Sequence, residues 1–318
     1  MRSYRGSAIV LAALVSVGAV GAQSKDERHV YVTALDKDGT PIVGLTTGHF
    51  AIRESGRDRT VLGVEPLRVP MHVAVLVDTS IANGAPDENF RSAVLGFVER
   101  LAATNHVAVY SFGDRAARAA DFTQDAAALR SATNGIFGWA HQRSHLIDAI
   151  DVALRDLARA ESTRPVIIAL CSESPEASGR TAGSVIKRLI ADSVAFHAIS
   201  LVNPGSGGGA SALGGRGAPA DRVPSSSQRL GGMVAAGEGD RERNQALEQG
   251  SSKTGGGRQR VTNVLALGPA LTRVANELSN SYKVTFARPG TARMQDLQVG
   301  LLVEGVTLRA TAAPFGTR

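Results

Sequence analysis

A short polar sequence, Asp78-Thr79-Ser80, directly follows the apolar run from His72 to Val77. A valine-rich run without polar alternation is typical of a strand buried on both faces of a parallel sheet. In open α/β sheets, ligands bind at the carboxyl ends of such strands. Asp78 and Ser80 are therefore candidate ligand-binding residues. The alternative is that Asp78 only caps the following turn, as aspartate commonly does.

Two further serines adjoin predicted elements of the same domain. The run Pro165 to Leu170 predicts a second buried strand, which ends at Cys171-Ser172. Ser144 precedes an amphipathic helix predicted over Leu146 to Leu157, whose apolar residues recur at helical spacing. Alternation of strands and helices from residue 69 onward predicts an α/β domain with a mostly parallel sheet and helices on both faces.

Other residue patterns are weaker indications of a cofactor, metal or catalytic site. The glycine-rich stretch from Gly205 to Ala210 fits the spacing of a dinucleotide-binding loop, but no helix follows to receive a pyrophosphate. His141 and His145 have metal-ligand spacing but no third ligand, so a pair in a loop is the simpler interpretation. Cys171 ends a buried strand, where a cysteine is more often inert than nucleophilic. The chain also lacks the Gly-x-Ser-x-Gly motif of serine hydrolases.

The amino-acid composition is typical of a soluble globular protein. Of the 318 residues 43% are hydrophobic and 20% are charged, while aromatic residues make up only 4%, so alanine, valine and leucine must form the core. A net charge of +6 without a clustered basic stripe gives no support for nucleic-acid binding. With one cysteine, Cys171, the chain can form no internal disulfide.

The amino terminus has the pattern of a secretory signal peptide. Arg2 and Arg5 precede an apolar run from Ala8 to Val20, and Val20-Gly21-Ala22 supplies small residues for cleavage after Ala22. We therefore expect an exported protein, periplasmic or secreted. No later run is long enough to predict a transmembrane segment in the mature chain.

The mature chain is predicted to contain two interleaved domains. Short alternating runs in residues 23–68 and 281–318 predict strands, and neither set can form a stable core alone. The simplest hypothesis is a small β-sandwich built from both chain ends, with the α/β domain, residues 69–280, inserted between them. Within it, residues 203–260 hold 15 of the 35 glycines and predict a disordered insertion, apart from a short helix at 241–249.

These features resemble the von Willebrand factor type A (vWA) domain. The resemblance lies in the strand before Asp78-Thr79-Ser80, the helix opening at Ser144 and the strand ending at Cys171. The flanks, including Asp38 to Leu45 and Thr254-Gly255-Gly256, are similar to the acidobacterial-type VWFA-related proteins. It implies a Rossmann-like vWA fold for the inserted domain.

The resemblance also implies a position for the family's metal-ion-dependent adhesion site. The corresponding positions in this chain are Asp78, Ser80, Ala82, Ser144 and Ser172. At the second serine position stands Ala82, which has no oxygen ligand, and Ser172 stands where the family has its late aspartate. We therefore expect a degenerate site that binds no cofactor; if Mg²⁺ or another divalent cation binds, its ligands are Asp78, Ser80 and Ser144.

The resemblance implies an exported, non-enzymatic module for adhesion or protein binding. Its partner would be a protein or a component of the envelope or extracellular matrix. Two alternatives remain open: a structural subunit of the envelope without a ligand at this edge, and a hydrolase with a compact His/Ser/Asp cluster.

Overall fold

The computed structural model describes residues 27–80, 88–136, 143–172, 174–202, 226–288, 296–303 and 305–312, with the backbone alone for 226–236. The predicted signal peptide, Ala82 and His141 lie outside these residues. Two antiparallel sheets and one mixed sheet make up the β-structure described.

The mixed sheet forms the centre of an α/β domain. Its strands are β5 (His72–Val77), β6 (His106–Phe112), β7 (Ala116–Thr123), β8 (Pro165–Cys171), β9 (Ala195–Leu201) and β10 (Arg258–Val261). Their order is β10-β9-β8-β5-β6-β7, and only β7 runs antiparallel. Counted from β5, this is the 3-2-1-4-5-6 order of doubly wound sheets.

Helices cover both faces of this sheet. They are α1 (Glu88–Ala102), α2 (Ala126–Gly135), α3 (Leu146–Arg159), α4 (Ala182–Ala191), α5 (Ser226–Lys253) and α6 (Leu267–Ser279). Alternate residues of β5 enter different cores: Val73 and Val75 pack with α1 and α6, whereas Ala74 and Leu76 pack with α3 and α4. Because both faces are covered, the strand needs no polar alternation, which explains its valine-rich sequence.

The two antiparallel sheets bring the chain ends together. Their strands are β1 (Glu27–Leu35), β2 (Phe50–Glu54), β3 (Arg57–Arg59), β4 (Val61–Pro66), β11 (Tyr282–Ala287), β12 (Leu297–Leu301) and β13 (Thr307–Ala312). One sheet has the order β13-β1-β11-β4 and the other β12-β2-β3. Val30 and Val32 of β1 share a core with Ile52 and Phe286. The predicted fold class, an α/β domain inserted in a sandwich from both chain ends, is confirmed.

The prediction that residues 203–260 form a disordered insertion, with only a short helix at 241–249, is wrong for the second part of that range. Helix α5 covers Ser226–Lys253 and strand β10 covers Arg258–Val261. Ala246 and Leu247 of α5 are buried against the core that contains Phe196 and Leu189. Tertiary packing of these two apolar residues outweighs the glycine- and serine-rich composition that suggested disorder. Residues 203–225 lie outside the described chain.

A glycine-rich loop after α5 joins the two domains. Thr254 Oγ1 accepts a hydrogen bond from the Phe196 amide at 3.0 Å, and the Thr254 carbonyl accepts one from Thr311 Oγ1 at 2.6 Å. A Cβ atom at Gly255 would lie 2.3 Å from the Ala310 carbonyl oxygen, and at Gly256 it would lie 1.8 Å from that of Phe196. The loop passes between β9 and β13 only because these positions lack side chains.

Candidate functional site

The candidate site lies at the carboxyl edge of the central sheet. Strands β5 and β8 are parallel neighbours, with Val77 opposite Leu170, and the Asp78 amide donates to the Leu170 carbonyl at 2.9 Å. The residues that follow each strand therefore emerge at the same level. This register places Asp78 beside Ser172, a proximity that the resemblance implied.

The Asp78 carboxylate accepts four hydrogen bonds. Its Oδ1 accepts from the Ser80 amide at 2.9 Å and from Ser80 Oγ. Its Oδ2 accepts from the Ser172 amide at 2.9 Å and from Ser172 Oγ at 2.7 Å. A carboxylate has about four lone-pair directions, so these donors use its accepting capacity. Hydrogen bonds of this kind keep a buried charge from being left unpaired.

Ser174 extends this network between the loops. Its Oγ lies 2.9 Å from Ser172 Oγ and donates to the Ser80 carbonyl at 2.7 Å. From the other side, Arg243 of α5 donates through Nη1 to the Ser174 carbonyl. The loops after β5 and β8 and the helix α5 are thus held in fixed relative positions. We name the side chains of Asp78, Ser80, Ser172 and Ser174 the edge network.

Ser144 joins the same edge through its backbone. Its amide donates to the Pro175 carbonyl and its carbonyl accepts from the Ala177 amide, both at 2.8 Å. Its Oγ is buried and has no hydrogen-bond partner among the described residues. The predicted position at this edge is therefore observed, although the Ser144 hydroxyl is not part of the edge network.

Sequence reasoning missed Glu176, which fixes the start of α3. Its Oε2 accepts from the Leu146 amide at 3.3 Å and its Oε1 from the Ser178 amide at 3.1 Å. Burial raises the pKa of this carboxyl group above its usual value, and hydrogen bonds to Ser178 oppose the shift. Glu176 lies 30 residues from the helix it contacts, so no local capping pattern could have indicated the interaction.

Most of the predicted site residues lie beneath the surface. Asp78 is 2% exposed, and Ser80 and Ser144 are also buried, whereas Ser172 is partly exposed. Among the described residues, exposed side chains on the loops that carry Ser144 and Ser172 include those of Arg143, Pro175 and Arg180. The structure thus brings four of the five predicted positions to one edge, and Ala82 lies outside the described residues. Their role in binding stays a prediction.

The described residues at this edge do not fit a hard divalent cation. Such ions prefer about six oxygen ligands with carboxylate charge among them. The edge network offers one carboxylate, Asp78, whose lone pairs are already engaged by protein donors. Among the described residues, no group of three or more His, Cys, Asp or Glu is arranged to hold a metal ion. We therefore assign no step to a metal.

The described part of the edge also shows no arrangement for nucleophilic catalysis. Cys171 is buried, and burial followed by the charge of Asp78 raises the pKa of its thiol, which disfavours the reactive thiolate. His145 Nδ1 lies 3.6 Å from Asp148 Oδ2, but no hydrogen bond joins Ser144 Oγ to a described histidine. A serine nucleophile requires such a contact with a base.

Comparisons with known proteins give matches only among solved structures. No protein-family model matches the chain, and no curated protein matches it. One matching structure is the SpRpn10 VWA domain, with 14% identity and a TM-score of 0.40, covering 63% of this chain and 94% of that one. BatB from Bacteroides thetaiotaomicron has 14% identity and a TM-score of 0.41, covering 66% and 100%.

Proximal thread matrix protein 1 from the mussel byssus, in a structure with a zinc-occupied MIDAS motif, is similar to this chain at 12% identity. The TM-score is 0.47, and the match covers 72% of this chain and 50% of that one. A protein described as a VWA domain is thus among the structures matched. At these identities the likeness concerns the fold alone, and no role at the edge is taken from it.

No helix among the described residues is long and apolar enough to cross a membrane.

Proposed function

We propose that the chain is an exported, non-enzymatic module that binds a protein or matrix partner with the loops at the carboxyl edge of its central sheet. The edge network carries this proposal. It uses a buried carboxylate and three serines to hold loops of two strands in place, at the position where open α/β sheets bind ligands. Loops positioned by a rigid scaffold are common binding surfaces.

The partner would touch the exposed residues around the edge network. Asp78, Ser80 and Ser144 are buried, so they position the loops, whereas Arg143, Pro175 and Arg180 face solvent. Arg180 also pairs through Nε with Asp151 at 2.8 Å, which restrains its side chain. Arg143 is therefore the residue whose charge can be changed at this surface with the least structural effect.

A structural role in the envelope is the second candidate, and one observation favours it. Several exposed large apolar side chains lie on the sandwich: Val43, Leu62, Leu302 and Val303. Val43 and Leu302 are each at least 70% exposed. Exposed apolar groups of this kind are found at protein interaction surfaces when they are contiguous. In that case the sandwich, rather than the edge of the α/β domain, would carry the contacts.

One capture experiment separates the two candidates. Wild-type chain, Arg143→Glu and Val43→Ser/Leu302→Ser are immobilised in equal amounts and exposed to envelope extract, and the retained proteins are quantified by mass spectrometry. We expect Arg143→Glu to reduce a specific partner at least tenfold and the sandwich variant to retain it. Loss confined to the sandwich variant would favour the structural subunit and contradict the proposal.

Export is tested separately on the protein isolated from cells. Cleavage after Ala22 predicts a mature chain that begins at Gln23. An intact Met1 on protein purified from the envelope or medium would contradict it.

A further inference from the structure

A small cavity with several polar lining residues lies between the sandwich and the α/β domain, at the amino ends of β8 and β9 and thus at the end of the sheet opposite the edge network. Its volume is about 30 Å³. Its lining includes Tyr31 of β1, Arg164 before β8, His197 of β9, Glu277 of α6 and Arg309 of β13. A volume of this size accommodates a water molecule or a small anion.

Arg164 is a buried cation without an acidic partner. Its Nη2 donates to the Leu278 carbonyl at 2.6 Å and to Ser281 Oγ at 3.0 Å. Its Nη1 lies at the long distance of 3.4 Å from the Val69 carbonyl. No described carboxylate lies within ion-pair distance of this guanidinium, which is 7% exposed. A buried charge paired only with neutral acceptors is costly in a folded protein.

The other charges around the cavity leave it positive. Arg309 Nη1 donates to both Glu277 oxygens, at 2.7 and 2.8 Å, so that the charges of this pair offset each other. The guanidinium of Arg164 then remains as an excess positive charge. Tyr31 has its pKa raised by burial, which keeps the phenol protonated and able to donate a hydrogen bond.

His197 adds an unpartnered polar atom to the cavity. The residue is 1% exposed, and its Nδ1 has no hydrogen-bond partner among the described residues. The nearest carboxylate atom, Glu277 Oε1, lies 4.0 Å away, which is too far for a hydrogen bond. Burial, and then the charges of Arg309 and Arg164, lower its pKa to about 3. A neutral imidazole can still donate one N–H group to an anion.

We propose that this cavity binds a small monovalent anion between Arg164 and His197. Chloride is the anion of this class that we consider. The anion supplies the counter-charge that Arg164 lacks and an acceptor for an N–H of His197. Because strands of the sandwich and of the α/β domain both line the cavity, bound anion stabilises the contact between the two domains. This site is independent of the partner-binding edge.

Thermal unfolding at constant ionic strength tests the proposal on the purified chain. Sodium chloride is varied from zero to 200 mM against sodium gluconate, whose anion is too large for the cavity. We expect Tm to rise with the logarithm of the chloride concentration above the dissociation constant, by about 3 to 6 °C at ten times that constant. Equal Tm values in the two salts would overturn the proposal and indicate that water fills the cavity.

Variants of the lining residues test whether the chloride dependence of Tm arises in this cavity. Arg164→Gln should abolish the chloride dependence, and Arg53→Gln, on the exposed surface of the sandwich, should leave it unchanged. If Arg164→Gln does not fold, His197→Leu provides the second test, with a dissociation constant for chloride raised at least fivefold. A chloride dependence as strong in either cavity variant as in the wild type would contradict the assignment.

Crystals grown in sodium bromide give a direct view. Bromide scatters anomalously, and we expect its peak within hydrogen-bond distance of Arg164 and His197. Bromide peaks only elsewhere on the molecule, with none in this cavity, would overturn the proposal.

Discussion

At the scale of single residues, Asp78 acts as the acceptor that holds the loops of the sheet edge. Its four hydrogen bonds come from only two residues, Ser80 and Ser172, each of which donates through both amide and hydroxyl. The carboxylate thus holds both the backbone and the side chain of each serine in place.

Asp78→Asn is expected to destabilise the protein by about 1 to 3 kcal/mol. An amide nitrogen would face donors where a carboxylate oxygen now accepts, so at least one buried donor would lose its partner. Chemical denaturation measures the change. The control is Asp58→Asn, on a side chain that is 87% exposed, with an expected change below about 0.5 kcal/mol. Equal stabilities of the two variants would contradict the role given to Asp78.

His197 makes stability depend on pH. Its pKa is lowered to about 3 in the folded chain by burial and by Arg309 and Arg164, from 6.5. Between pH 6.5 and about pH 3, His197 is therefore protonated in the unfolded chain but stays neutral in the folded chain. The free energy of unfolding is therefore highest above pH 6.5, as far as His197 is concerned, and decreases as the pH falls towards 3.

Denaturation at pH 7.5 and pH 5 tests this dependence. Wild type should lose about 2 kcal/mol more than His197→Leu over that interval, from about 1.4 kcal/mol per pH unit below 6.5. Glu277 acts in the opposite direction because burial raises its pKa, so protonation on acidification favours the folded chain. The comparison of matched variants removes that contribution. Parallel pH profiles would show that His197 is not the cause.

At the scale of elements, the sequence predicted those whose pattern is dictated by burial. β5 and β8 are buried on both faces, and α3 presents a continuous apolar stripe, so all three were evident. Strand β7 was missed, because an edge strand with an Ala-Ala-Arg-Ala-Ala-Asp sequence has neither apolar alternation nor a continuous apolar run. The length of α5 was missed because it depends on tertiary packing.

The residues of the candidate site also fall into two groups, those that the sequence could predict and those that it could not. Asp78 and Ser80 could be predicted because ligands bind at the carboxyl ends of strands in open α/β sheets, and Ser172 could be predicted from the resemblance. The hydrogen bonds of Ser174, Glu176 and Arg243 could not, since they join loops and a helix that are distant in sequence. The sequence therefore predicts where the loops emerge, and tertiary contacts decide which side chains hold them.

The glycine-rich joint gives a prediction at this scale. Gly256→Ala should destabilise the protein by at least about 2 kcal/mol, because its Cβ would lie 1.8 Å from the Phe196 carbonyl oxygen. Gly268→Ala is the matched control in α6, where a Cβ meets no atom within 4 Å, and should be neutral or stabilising by up to about 1 kcal/mol. Thermal denaturation of both variants measures the difference. Similar losses in both would contradict the close packing of the joint.

At the scale of the whole molecule, both chain ends contribute to one sandwich core. β1 pairs with β11 and with β13, so the first described strand lies between two strands from the far end of the chain. β12 and β13 follow each other in sequence but lie in different sheets, where they pair with β2 and β1. The sequence predicted this interleaving because neither set of strands could form a core alone.

Deletion of residues 297–318 tests that arrangement. The truncated chain lacks the partner of β1 on one side and the partner of β2, so the amides of Val30 and Val32 should exchange at least ten times faster than in the full chain. Val75 in the central sheet provides the internal reference. Unchanged exchange at Val30 and Val32 would contradict a sandwich shared by both ends.

We propose that the loops at the sheet edge are organised around Asp78 by the protein's own donors rather than by a metal. Calorimetric titration of the purified chain with Mg²⁺ and Mn²⁺ tests it most directly, with Asp78→Ala as the control. We expect no saturable heat that depends on Asp78 up to millimolar metal. A dissociation constant at or below about 100 μM, about 5.5 kcal/mol, that is abolished in Asp78→Ala would contradict it.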